Sequence, residues 1–107
     1  MRTILALAAV AAFLSAPALA DEPVALKLKD HKFTPAVIHV KANQPSVIAM
    51  SNEDATAEEF DSTSLKVEKV VAGNSSGNVR IRPLAPGRYP FMGEFHSATA
   101  QGVVIAE

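Results

Sequence analysis

The chain has no cysteine anywhere in its 107 residues. No disulfide can brace it, and no thiolate is available as a metal ligand or nucleophile. Basic residues do not exceed acidic ones: ten Lys and Arg stand against eleven Asp and Glu, a formal net charge of −1. Nucleic acid and anionic membrane are therefore poor candidates for partners. Apolar runs are also scarce. One begins at Ile4 and ends at Leu14, too short for the roughly 20 residues that span a bilayer. No phosphate-binding loop, nucleophile-and-base arrangement, internal repeat, low-complexity tract or interdomain linker is present.

That single apolar run reads as a leader. Arg2 supplies the positive start, and Ala18-Leu19-Ala20 has the small-x-small form of a signal-peptidase site before Asp21. The expectation is an exported, periplasmic protein with residues 1–20 removed after Ala20 and residues 21–107 forming one small domain.

What remains reads as strands. Val24–Lys29 alternates apolar and polar residues, as do residues 36–41, 65–71 and 78–82. Residues 46–51 form a nearly continuous apolar run, which suits a strand covered on both faces. Residues 88–92 and 102–106 complete seven runs. Turn chemistry separates them at Asn43-Gln44-Pro45, at 73–77 and at Pro86-Gly87. Short strands at this spacing predict an all-β, antiparallel Greek-key sandwich or barrel of about seven to eight strands. Pro90 lacks an amide hydrogen, which predicts a sheet edge or a bend at that point. Residues 53–64 read as a polar loop, with room for one helical turn.

Chemistry concentrates in two stretches. Residues 51–62 carry Glu53, Asp54, Glu58, Glu59 and Asp61, while Met92-Gly-Glu94-Phe-His96 brings thioether, carboxylate and imidazole within five residues. All three groups ligate transition metals. Each also has a plain reading: a capped loop histidine, solvated carboxylates, a rim methionine. Met50, in an apolar run, reads as core. His31 and His39, at strand ends or outward positions, read as solvated, and Glu68 as a sheet-surface residue. Lys69 and Arg88 are available to neutralise the acids.

Phe33-Thr34-Pro35, Ser51-Asn52, residues 59–62, residues 65–70 and Pro86 through Gly102 occur in an order that resembles a small cupredoxin-like family of periplasmic metal proteins. The resemblance is to the cupredoxin partner of Ftr-type ferrous iron uptake systems, and more distantly to the cupredoxin domain of EfeO-type proteins. It implies a cupredoxin sandwich with a metal between the two stretches. Blue copper cupredoxins join a His from the earlier stretch to Cys, His and Met from the later one. This chain departs from that plan, with no Cys and with Glu59 placed where the earlier His is expected. The implied metal set is Glu59, Met92, Glu94 and His96, a non-blue site for copper and also for iron, with Asp61 as a further oxygen donor. The implied role is ferrous iron oxidation and uptake beside a periplasmic iron- and copper-binding protein and an inner-membrane ferric permease, a copper centre taking the electron from Fe(II). A stand-alone ferroxidase is the rival enzyme reading, weakened because one mononuclear site matches four-electron oxygen reduction poorly. A copper chaperone or a partner-docking module is the third reading. Only Met50 and Met92 follow the leader, which is meagre for a chaperone.

Overall fold

Period-two patterning translates directly into pleated strands whose apolar members face inward. In a computed structural model, residues 22–107 are described; the leader read over residues 1–20 and its cleavage point lie outside them. Nine strands follow in order: β1 Val24–Lys29, β2 Lys32–Thr34, β3 Val37–Val40, β4 Ser46–Asn52, β5 Glu58–Ser62, β6 Val67–Val71, β7 Ser75–Ile81, β8 Gly87–Gly93 and β9 Gln101–Ala106. Among the described residues a single 3-10 turn, Glu94–His96, joins β8 to the segment before β9. Among the described residues no helix is long and apolar enough to cross a membrane.

The strands form two layers, a four-stranded sheet in the order β2-β1-β4-β7 and a five-stranded sheet in the order β3-β9-β8-β5-β6. The all-β sandwich expected from the sequence is present, with nine strands among the described residues rather than seven or eight. It is not purely antiparallel: β1 runs parallel to β4, and β3 runs parallel to β9. Between the sheets lie Leu26, Leu28, Ile48, Met50, Phe60, Val79, Ile81 and Val104, each 2% exposed or less. A ring cluster of Phe33, Phe60 and Phe91 closes one end of this core, with Phe60 stacked on Phe91 at 4.7 Å and Phe33 edge-on to Phe91 at 5.2 Å. Burying each such side chain contributes about 1.5–3 kcal/mol.

Residues 58–62 are the main departure from expectation. They form strand β5, not a wet loop, because Glu58, Phe60 and Ser62 point inward while Glu59 and Asp61 point outward. The apron of residues 53–57 is organised by buried Asn52, whose Nδ2 donates to Thr56 O at 2.9 Å and whose Oδ1 accepts from Asp54 N at 3.0 Å.

Pro90 occupies a strand inside the five-stranded sheet, in register with Val103 of β9. On its other side the β5 ladder consists of the pairs Phe60–Gly93 and Asp61–Met92 and then stops. The proline, with no N–H to offer, therefore sits where pairing has ended. Ser62 Oγ donates to its carbonyl at 2.6 Å and also accepts from Leu65 N at 3.0 Å, closing the frayed seam.

Candidate metal centre

Strand alternation sorts the acids and the imidazole into two places. On the outer face of the five-stranded sheet, Glu59, Asp61 and Glu94 bring one ligand oxygen each within 4.8 Å of one another. Glu59 and Asp61 arrive there because both are outward residues of β5, two apart. Glu94 begins the 3-10 turn that follows β8. Met92, 42% exposed, lies beside them in register with Asp61. Glu68 lies across from Asp61 on β6. A surface groove of about 430 Å³, lined by Asp61, Pro90, Met92 and Gln101 among others, runs alongside.

The electrostatics of this face are those of crowded like charges. A hydrogen bond to Asp61 and the Asp61 charge hold the Glu94 carboxyl above the usual carboxylate range, with Glu59 and Glu68 adding to the effect. Lys69 is no neutraliser here, because its register with Phe60 sets it on the opposite face from Glu68.

His96 belongs to a different cluster, at the end of the sandwich. Its Nδ1 donates to Glu58 Oε2 at 2.5 Å, and Glu58 is fully buried. The other Glu58 oxygen accepts from Phe95 N at 2.8 Å and from Glu59 N at 3.1 Å. The His96 ring stacks on that of His31, with centroids 3.5 Å apart and planes 12° from parallel. His31 is thus not a merely solvated residue. It occupies the two-residue turn between β1 and β2, where Asp30 and His31 both have positive φ, 51° and 58°. Asp54 accepts from both turn amides, at 2.8 Å from Asp30 N and 3.0 Å from His31 N, which depresses its own pKa below the ordinary value. His39 stands apart, exposed and paired with Glu107 at 2.9 Å.

The four residues expected to share one ion are therefore divided. Glu59 and Glu94 come together, Met92 sits next to them, and His96 is held by Glu58 instead. The partner of His96 is the residue one position before Glu59. Period two offered the signal: Glu58 lies two residues from Phe60, the apolar member of the same strand, and so shares its inward face. His31 carried no such mark, since only the tertiary fold brings it to residue 96.

A thiolate-centred copper site, as in blue cupredoxins, does not fit these residues. The chain has no Cys. The space beside His96 is already filled, because a Cβ placed on Gly93 would lie 2.7 Å from Glu58 Cδ and 2.8 Å from Ala100 Cβ. The Glu58 carboxylate already accepts from three donors.

Known proteins agree with the architecture. The family model of the cupredoxin-like domain matches residues 2–106. An uncharacterized protein of Rickettsia prowazekii (strain Madrid E) is 42% identical over 82 residues, covering 77% of this chain and 66% of that protein's length. Among solved structures, the metal binding domain of the Streptococcus pneumoniae D39 Cu(I)-exporting P-type ATPase CopA, determined with Cu(I), superposes with a TM-score of 0.67 at 14% identity, covering 79% of this chain and 84% of that one. Amicyanin from Paracoccus versutus gives 0.63 at 15% identity, covering 87% and 86%. At such identities the two structures testify to the fold, and the family match makes the assignment: this chain belongs to the cupredoxin-like domain family.

Proposed function

We propose that this protein is a metal-handling cupredoxin-like protein of the periplasm that binds iron as cargo on the outer face of its five-stranded sheet. The observation that carries this reading is the approach of Glu59, Asp61 and Glu94 within 4.8 Å, with the Glu94 carboxyl pushed up by its neighbours. Three oxygen donors crowded against one another are relieved by a hard cation, and Met92 adds a softer atom at the rim. The donor set favours Fe(II) and Fe(III) over a thiolate-loving ion. In this reading the protein takes part in ferrous iron oxidation and uptake, passing iron between a periplasmic iron- and copper-binding partner and a ferric permease. The family membership and the absence of any thiolate support a member that has left blue copper chemistry behind.

The test is a titration of the metal-free chain with Fe(II) under nitrogen and with Fe(III) held soluble by citrate, compared with the double variant E59Q/E94Q. Binding tighter than about 10 μM, near −7 kcal/mol, that is lost in the variant supports the proposal. Equal binding by both chains, or none by the natural chain, refutes it.

A further inference from the structure

We infer that the groove across the outer face of the five-stranded sheet is a binding site for a small organic cation, a primary ammonium carried on an apolar body. The groove measures about 430 Å³, within the roughly 300–1,000 Å³ of small-molecule sites. It opens where the β5–β8 ladder stops after Asp61–Met92 and the two strands part. Residues 61–64 form one wall, Gln101 and Gly102 the other, and residues 90–92 lie between. The interrupted ladder does not close on itself. Ser62 Oγ donates to the Pro90 carbonyl at 2.6 Å, and Arg82 grips the turn after β5 through Leu65 O at 2.5 Å and Ser64 O at 3.1 Å. A concavity held open in this way costs little ordering when a ligand enters.

The chemistry of the lining selects the occupant. Pro90 and Met92 are outward residues of β8 and present hydrocarbon and thioether. Asp61 supplies the only charge, since neither Lys nor Arg lines the groove. Gln101 commits its Nε2 to Ser97 O at 2.8 Å, which leaves Oε1 as an acceptor without a protein partner among the described residues. Thr63 and Ser64 add hydroxyl oxygens. The polar atoms are thus mostly acceptors set beside an apolar surface. An ammonium group, with three donors and no acceptor, answers them. Glu59, Glu68 and Glu94 stand near Asp61 and deepen the negative potential it begins. That field turns away carboxylates and phosphates. A neutral apolar molecule would fill the volume yet leave the Asp61 carboxylate unanswered.

Titration of the metal-free chain with butylammonium, hexylammonium and hexanoate at fixed ionic strength, followed by amide NMR, tests the site. Ammonium-induced shifts are expected at residues 61–64, 91–92 and 101–102. Each methylene that leaves water should tighten binding about fourfold, the equivalent of about 0.8 kcal/mol. The step from butyl to hexyl should therefore gain roughly 4–16-fold in a groove open on one side. Hexanoate should shift none of these amides. Asp61→Asn is expected to weaken hexylammonium about 3–10-fold. Thr63→Trp, which sets a ring against the exposed wall of the groove, is expected to abolish the dependence on chain length and leave the melting temperature unchanged. No binding of hexylammonium, equal affinity for the butyl and hexyl forms, or equal binding of hexanoate overturns the inference. Shifts spread over other exposed acids such as Glu22 and Glu53, or full affinity in Thr63→Trp, would do the same. No metal enters this titration and Thr63 is not among the oxygens proposed for iron, so failure here leaves the iron reading standing, and failure of iron to bind leaves the groove.

Discussion

Gly93→Ala tests whether Glu58 really fills the space beside His96. Gly93 has φ −89° and ψ 106°, ordinary extended backbone. A methyl group there carries no conformational penalty, and restricting the unfolded chain would by itself stabilise the protein by about 0.4–1 kcal/mol. Any loss must therefore be steric. The new Cβ would stand 2.7 Å from Glu58 Cδ, 3.0 Å from Glu58 Cγ and 2.8 Å from Ala100 Cβ, where carbon atoms normally pack at about 3.5–4.0 Å. Glu58 cannot retreat without loosening three hydrogen bonds, and Ala100 is fully buried. Overpacking of this sort costs about 1–3 kcal/mol, so a net loss between roughly 0 and 2.6 kcal/mol, centred near about 1.3, is expected once the chain-restriction gain is subtracted. In a domain of this size each kcal/mol moves the melting temperature by about 4–8 °C. Urea unfolding at neutral pH should show a lower midpoint with unchanged slope. In a Glu58→Ala background only the Ala100 contact remains, so the added cost of the methyl should shrink by at least about 0.5 kcal/mol. A midpoint above that of the natural chain, or an identical cost in both backgrounds, would refute the packing described for this end of the molecule.

Asp54→Ala should destabilise the chain by about 1–2 kcal/mol at pH 7, discounted for partial exposure, because two turn amides lose a carboxylate acceptor. Since the Asp54 pKa is lowered in the folded state, that contribution is full above the ordinary value of 3.8 and is lost as pH falls through the lower, folded one. Acid titrations of the two chains should converge at the lowest pH; parallel curves would contradict the clamp. Glu94 runs the other way: its raised pKa gives a contribution that is full below the ordinary 4.5 and lost as pH rises through the folded value. Glu94→Gln should flatten that decline, as followed by thermal melts across the acid range, and a slope unchanged by the substitution would count against crowding among the acids. Ser62→Ala, which removes the hydroxyl between Pro90 O and Leu65 N, should cost about 1–3 kcal/mol in urea unfolding; a neutral result would show that the seam is closed by something else.

The sandwich was legible because seven strands carry apolar residues at alternate positions, and Met50 reads as core from its neighbours alone. Two strands were not. β2 is Lys-Phe-Thr, with one apolar residue and too few positions to show a period. β5 hides its alternation behind acids, since Glu58 and Ser62 face inward as polar groups that the tertiary fold satisfies. The resemblance sets Glu59 beside His96, whereas the pleat gives that place to Glu58, one residue earlier and on the opposite face of the strand. The chemistry-bearing stretches themselves were visible from their donor types. Which members of each stretch would meet depended on pleat direction and on a turn more than sixty residues from His96, and neither is encoded locally.

The last strand, β9, lies between β3 and β8. Its parallel partner β3 precedes it by more than sixty residues, so the larger layer stays unclosed until β9 docks. Contacts of such wide sequence separation place the protein among slow folders, on the order of milliseconds to seconds. Removing residues of β9 should leave a collapsed, open-edged chain instead of a slightly weakened one.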